Sequence, residues 1–185
     1  MPELLAFLTV NMSEHQELLW QMRDNEAIVL FGARRLARQE KKGSPFVATK
    51  IGPPTRIIAM DALDRRKAEF DRKIAFFWHL RKCLAGFSAV AADVEAIHTG
   101  RWGCGVFEND LLDMVLVQCI AAILVGIKRV VFHAVDEIIL LKVQSILEKS
   151  AGKDRPVEAA FEYANQQKKP LKTAARKQDK AAQRR

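Results

Sequence analysis

Apolar positions in this chain come in two kinds of run. The first kind is short and unbroken. Ala27-Ile28-Val29-Leu30-Phe31, closed by Gly32, is one; Arg56-Ile57-Ile58-Ala59-Met60, ending at Asp61, is a second; Arg129 to Val135 is a third. Their length and β-branching predict buried strands, and Val94 to His98 predicts a shorter one. The second kind is periodic. Phe70, Ile74 and Phe77 follow helical spacing within a segment from about Asp64 to Leu84. Over Asp136–Ser150 the residues Ile139, Val143, Ile146 and Leu147 share one helical face, with Gly152 as a stop signal. Pro156 starts a last amphipathic helix with Val157, Ala160, Phe161 and Ala164 inward. Near the start of the chain, Pro2 predicts a first helix, and Ser13 with Gln16 a capping box for another through Met22.

The longest apolar run, Leu111–Ile127, is interrupted by Asp113 and Gln118. It is short for a membrane span and predicts a buried helix, with Asn109 or Asp110 as its cap. Strands alternating with helices imply an α/β architecture with a largely parallel sheet. Between Gly32 and Arg56 the chain is polar and basic, and its glycines and prolines predict a long loop.

Composition narrows the class. At 185 residues, 49% hydrophobic and 28% charged, the chain has room for one ordinary globular domain. The net charge of +8 would suggest a nucleic-acid binder, but its distribution changes that picture. From Lys168 to Arg185 eight basic residues face only Asp179, a net of +7, which leaves +1 for residues 1–167. We therefore expect a near-neutral domain over 1–167 and a basic, disordered tail over 168–185, which lacks an apolar period.

Cys83, Cys104 and Cys119 are odd in number and show no CxxC spacing, so neither a disulfide framework nor a zinc ribbon is implied. His15, His79, His98 and His133 form no ligand pattern, and no metal or cofactor is called for. Met1 to Val10 lacks the basic flank and cleavage site of a secretory signal. The expectation is an intracellular protein, nuclear or cytoplasmic or both, with no membrane partner.

Candidate chemistry concentrates in Thr99-Gly100-Arg101-Trp102-Gly103-Cys104-Gly105-Val106-Phe107, a glycine-rich segment after a predicted strand and before a predicted helix. Glycines there allow backbone N–H groups to approach an anion, and a helix N-terminus adds favourable potential; a diphosphate is the natural guest. The alternative is a tight strand-to-helix turn anchored by Trp102 and Phe107. Neither the dinucleotide G-x-G-x-x-G pattern nor a P-loop is present. Cys104 invites a nucleophile hypothesis through its place near a helix start, with a small turn residue as the simpler role. Glu108 and Asp110 form a potential carboxylate pair, for which capping is the preferred role.

The same nine residues resemble the T-G-x-W-G-C-G-x-F loop of the poly(ADP-ribose) glycohydrolase family. In that family an apolar helix with Gln and Ala-Ala follows, and here Leu116-Val117-Gln118-Cys119-Ile120-Ala121-Ala122 stands in that place. Pro2-Glu3-Leu4-Leu5 resembles its P-E-L-I segment. Asn25-Glu26 with Gly32-Ala33, Ile57 to Leu63, and Ala85-Gly86-Phe87 resemble further segments in the same order. The likeness covers roughly residues 2–148.

The resemblance implies a macrodomain-like fold with a partly parallel sheet and flanking helices. It implies hydrolysis of ribose–ribose glycosidic bonds in poly(ADP-ribose), with Gly103, Cys104, Gly105, Val106 and Phe107 lining the diphosphate of ADP-ribose. The partner implied is poly(ADP-ribose) or ADP-ribose, with nonspecific polyanion contact through the tail.

Departures are equally specific. The family's catalytic loop, a triple glycine followed by Gln-Glu-Glu, normally precedes P-E-L-I, and no Gly-Gly-Gly or Glu-Glu occurs in these 185 residues. That N-terminal part of the family domain is expected to be missing, leaving sheet edges or apolar faces uncovered and no catalytic residue to assign. A tyrosine-rich segment after Gly-Ala is replaced by Arg34-Arg35-Leu36-Ala37-Arg38, and the sole tyrosine is Tyr163. The expectation is thus a glycohydrolase relative that retains diphosphate contacts. A truncated or diverged, non-catalytic ADP-ribose-binding protein is one alternative, and an α/β interaction protein with a basic tail another.

Overall fold

The computed structural model describes residues 23, 25–34, 37–39, 45–48, 54–66 and 71–168. The expected helices before Arg23, the match at Pro2–Leu5 and the expected disorder of the tail beyond Lys168 lie outside the described residues.

Element order is β1 (Ile28–Ala33), β2 (Ala37–Gln39), β3 (Phe46–Ala48), β4 (Thr55–Ala59), α1 (Arg72–Ser88), a 3-10 turn at Ala91–Asp93, β5 (Ala96–Thr99), α2 (Leu111–Leu124), β6 (Arg129–Phe132), α3 (Glu137–Ser150) and α4 (Pro156–Lys168). The fold is α/β. Among the described strands, however, only one pair is parallel: β5 with β6, in register Ala96↔Arg129 through Thr99↔Phe132. β1 pairs antiparallel with β4, and β2 with β3. The expectation of a largely parallel sheet fails because, among the described residues, no helix separates β1 from β4. A parallel crossover needs about a dozen residues, usually helical; the stretch between these strands instead folds back as the β2–β3 hairpin. That hairpin also corrects the reading of 32–56 as a plain loop.

Helix α2 is the centre of the core. Leu112, Met114, Val115, Leu116, Val117, Ile120, Ala121 and Ala122 are all buried, so the helix is covered around most of its circumference. The two polar residues that interrupt the run have dedicated partners. Asp113 accepts two bonds from the Arg72 guanidinium at 2.8 and 2.6 Å. Gln118 donates to Met114 O at 2.8 Å and meets Thr99 Oγ1 at 2.5 Å. A buried polar group costs free energy unless bonded, and both are. Helices α1, α3 and α4 pack around α2 through Phe76, Leu80, Cys83, Val143, Ile146, Ala160, Phe161 and Ala164. The faces expected for α3 and α4 are the ones buried. Among the described residues no helix is long and apolar enough to cross a membrane.

Two strands and one helix differ from expectation in detail. α1 begins at Arg72 because Asp71 caps it, its Oδ1 accepting from Lys73 N at 2.8 Å and Ile74 N at 3.1 Å. Its inward face is Ala75, Phe76, His79, Leu80 and Cys83, one position away from the predicted stripe, and Ile74 is 61% exposed. β1 is half-buried rather than buried, with Phe31 exposed beneath the Arg56 guanidinium, 5.5 Å from the ring centroid. At Gly32 (φ +75°) the β1–β4 register shifts, a bulge that turns the strand end outward. β6 stops at Phe132, ahead of Ala134 with its positive φ of 55°.

Candidate functional site

β5 and β6 end side by side, and the glycine-rich loop leaves from β5 at that end. His133 N donates to Thr99 O at 2.8 Å, and His98 Nδ1 faces His133 Nε2 at 3.0 Å. Scattered in sequence, these two histidines are brought together by the parallel register. Gly100 follows directly. A Cβ there would lie 3.0 Å from His133 O, so the glycine allows the loop to cross the end of β6.

The loop is shaped from below by a second segment, 60–65, which follows β4. Trp102 Nε1 donates to Met60 O at 3.2 Å. Asn109 Nδ2 donates to Leu63 O at 2.8 Å and Gly103 O at 3.0 Å, while Asn109 N donates to Gly103 O at 3.1 Å. Arg65 N donates to Phe107 O at 3.1 Å. The two segments are thus laced together at three levels. Gly103 stands where they press closest: its φ is +70°, and a Cβ would lie 2.9 Å from Ala62 Cβ and 3.2 Å from Met114 Cε.

Segment 60–65 is itself held by α1. Leu63 N donates to His79 Nε2 at 3.2 Å, so that nitrogen carries no proton. His79 is buried edge-on to Trp102, with ring centroids 5.5 Å apart. Burial pushes its pKa down to about 4; a backbone bond to Ala75 and the charge of Arg65 act with smaller effect. Next to it, the fully buried Lys82 places Nζ 2.8 Å from Asp61 Oδ1, against Arg23 O, and 5.0 Å from the centre of the Trp78 ring.

On this support the outer part of the loop is open. Gly105, Val106 and Phe107 are exposed, Val106 to 69%. Nothing lies within 4 Å of a Cβ built on Gly105. Among the described residues, the N–H groups of Gly105, Val106 and Phe107 donate to no acceptor. Three successive free amides precede a 14-residue helix, and amides left unbonded near a helix N-terminus are chemically suited to an anion, because peptide dipoles favour negative charge there.

The five residues expected at a diphosphate therefore divide. Gly105, Val106 and Phe107 present free amides, whereas Gly103 and Cys104 belong to the turn that aims them. Cys104 N donates to Arg101 O at 3.1 Å and its thiol donates to Trp102 O at 3.4 Å. The thiol folds back onto its own turn, the role of a small turn residue. Asp110 is the helix cap, Oδ1 accepting from Asp113 N at 3.1 Å. Glu108 is exposed with a positive φ of 54°, an uncommon conformation for a residue with a Cβ. Asn109, offered as an alternative cap, proves to be the residue that locks the loop. His79, Asp61 and Lys82 carried no sequence signal beyond an Asp at a strand end and a histidine and a lysine in a helical stretch.

Phe132 and Val135 half-cover the core beyond β6, and Tyr163 of α4 packs against the same core. No curated protein sequence matches the chain. A family model described as poly(ADP-ribose) glycohydrolase (PARG), macro domain fold, matches residues 7–140. That span contains β1 to β6, the loop and the start of α3, so the chain belongs to the poly(ADP-ribose) glycohydrolase family, macro domain fold.

Proposed function

We propose that this protein binds ADP-ribose units, free or at the end of poly(ADP-ribose), by seating their diphosphate on the amides of Gly105, Val106 and Phe107. The observation that carries this reading is the three consecutive unbonded N–H groups on an open, rigidly backed loop. Charge-assisted bonds from such groups are the strong class of hydrogen bond. Family membership supplies the ligand class.

Glycosidic hydrolysis needs a positioned carboxyl group at the scissile bond. The triple glycine and Gln-Glu-Glu that provide it in the resembled family do not occur in these 185 residues. The reading is therefore binding by this chain without turnover. Calorimetry with ADP-ribose tests the first half. Gly105→Trp fills the open space over the amides and should weaken binding by at least about 100-fold, the equivalent of losing roughly two charge-assisted bonds. Unchanged affinity would favour the α/β interaction protein instead. Incubating purified 1–185 with poly(ADP-ribose) tests the second half, and release of ADP-ribose would refute it.

A further inference from the structure

The parallel register of β5 and β6 brings two imidazoles together at the strand ends, and diphosphate binding by the loop amides uses neither. His98 stands opposite Val131, and His133 directly follows Phe132, which stands opposite Thr99. His98 Nδ1 and His133 Nε2 lie 3.0 Å apart although 35 residues separate them in sequence. The ring planes differ by 20° and the ring centroids are 5.3 Å apart. That separation equals the nitrogen contact plus the two ring radii. The rings therefore meet edge to edge, nitrogens head on, and do not overlap face to face. Both side chains are exposed.

Two imidazole nitrogens that face each other share one proton, one ring donating and the other accepting. At an exposed place that bond adds little, because each ring could bond water instead. An imidazole lone pair also takes a metal ion, and an ion can stand in for the shared proton. It needs only the tautomers with His98 protonated at Nε2 and His133 at Nδ1. With metal–nitrogen bonds of about 2.05 Å, neighbouring nitrogen ligands lie roughly 2.9 Å apart on a tetragonal ion and roughly 3.3 Å apart on a tetrahedral one. The observed 3.0 Å falls between these. Tipping each ring by about 35–45° off the line of contact makes the lone pairs converge at those angles, a motion within the χ freedom of exposed side chains.

The backbone beneath the pair is already fixed. His133 N donates to Thr99 O at 2.8 Å, and Gly100 lets the two strand ends close, since a Cβ there would lie 3.0 Å from His133 O. Among the described residues no third His, Cys, Asp or Glu completes a group with them. Two nitrogen donors without a carboxylate do not suit calcium or magnesium, which take oxygen ligands; imidazole suits zinc, copper and nickel. We infer that His98 Nδ1 and His133 Nε2 form a two-histidine site for a divalent transition ion of the copper and zinc class, with its remaining coordination positions open to solvent. The site uses none of the loop amides and stands whether or not ADP-ribose binds there. A bound ion would clamp the ends of β5 and β6 together at Gly100, the root of the glycine loop.

The probe is Cu(II), compared with Zn(II) and Mg(II), added to the untagged 185-residue chain at about pH 7.5, where unperturbed imidazoles are neutral. Calorimetry reads affinity, and electron paramagnetic resonance counts the nitrogen ligands of the copper through their hyperfine splitting. The tightest site should show two imidazole nitrogens, bind Zn(II) more weakly than Cu(II), and ignore an about hundred-fold excess of Mg(II). His98→Gln and His133→Gln should each remove one nitrogen and weaken Cu(II) binding by at least about ten-fold, the lower end of what losing even a supporting contact costs a metal site. His15→Gln should change neither reading. A measurement on the wild-type chain stands beside the variants: Zn(II) should shift the ring-proton NMR signals of His98 and His133. The His79 signals should stay in place, because Leu63 N occupies its Nε2. Copper binding that survives both substitutions, a complex without two imidazole nitrogens, or zinc shifts that bypass His98 and His133 would each overturn the inference.

Discussion

Within six positions of the glycine loop three backbone situations occur, and they predict three different responses. Gly103 has a positive φ and no room for a Cβ. Gly103→Ala should destabilise the protein by about 2 kcal/mol or more, through left-handed strain and overpacking, and weaken ADP-ribose binding by loosening the turn. Gly105 has open space, so Gly105→Ala should change stability by no more than about 0.5 kcal/mol. Glu108 already pays left-handed strain at φ 54°, and Glu108→Gly should stabilise by about 1 kcal/mol. Urea denaturation of the three variants reads all three effects. An unaltered or lowered midpoint for Glu108→Gly would mean that the Glu108 side chain supports the loop.

His79 sets a pH dependence at the same scale. Its pKa is held down to about 4 by burial, whereas in the unfolded chain it returns to about 6.5. Below 6.5 the unfolded state binds a proton that the folded state refuses, so stability falls with falling pH between about 6.5 and 4 and is fully present above 6.5. The span corresponds to about 3 kcal/mol. Protonation would also remove the acceptor for Leu63 N. Denaturation midpoints of wild type and His79→Gln between pH 7.5 and 4.5 check this: the difference between the two should shrink as the pH drops. A constant difference would show that His79 does not titrate across that range. The neighbouring pair is asymmetric. Lys82 is fully buried, while the Asp61 side chain is 36% exposed. Asp61→Asn takes the counter-charge from the buried ammonium, leaving it Arg23 O and the Trp78 ring, and should cost roughly 2–4 kcal/mol, more than Lys82→Met, which leaves a carboxylate on a partly exposed side chain; thermal unfolding of both ranks them.

At the scale of elements, what was legible in the sequence follows from which forces act locally. The faces of α3 and α4 were legible because their buried residues recur at one helical period. The polar interruptions of α2 were visible, but their meaning was not: Asp113 answers Arg72 and Gln118 answers Thr99, partners 41 and 19 residues away. Strand existence was legible from β-branched runs, whereas strand pairing was not. The apolar run of β1 looks the same whether its neighbour is parallel or antiparallel, and only the hairpin at 37–48, too short and polar to stand out, decides it. In the candidate site the glycines could be read directly. Asn109, whose amide spans Leu63 and Gly103, could not, since that contact depends on how two loops meet. Helix α1 meets β4 at Gly86, where a Cβ would lie 2.6 Å from Ile58 Cγ2 and 2.8 Å from Met60 Sδ. Gly86→Val should push α1 off the strand that supports segment 60–65. We expect a loss of about 1–3 kcal/mol and weaker ADP-ribose binding together. Loss of stability with full affinity would uncouple that helix contact from the loop.

For the whole molecule the decisive feature is that the excess of positive charge and the candidate loop lie in different parts of the sequence. The loop that should hold a diphosphate offers amides, and the nearby Asp64, Asp110 and Asp113 are engaged: Asp64 with Arg66, Asp110 with the helix start and Asp113 with Arg72. The excess of basic residues lies at Lys168 and beyond. Attraction to a polyanion and recognition of an ADP-ribose unit should therefore be separable. Each phosphate neutralised by the tail releases counterions, so affinity for single-stranded nucleic acid should fall with salt at a slope of about 0.7 per contact. Deleting 168–185 removes only the last residue of α4 and should flatten that slope while leaving ADP-ribose affinity within about two-fold. Poly(ADP-ribose) should show both components: weaker, less salt-sensitive binding after the deletion, and loss of the remaining salt-insensitive part on Gly105→Trp. Measuring the two ligands across 50–200 mM salt for wild type, deletion and point variant tests the division. An equal loss of ADP-ribose and nucleic-acid binding on deletion would place the tail at the loop itself.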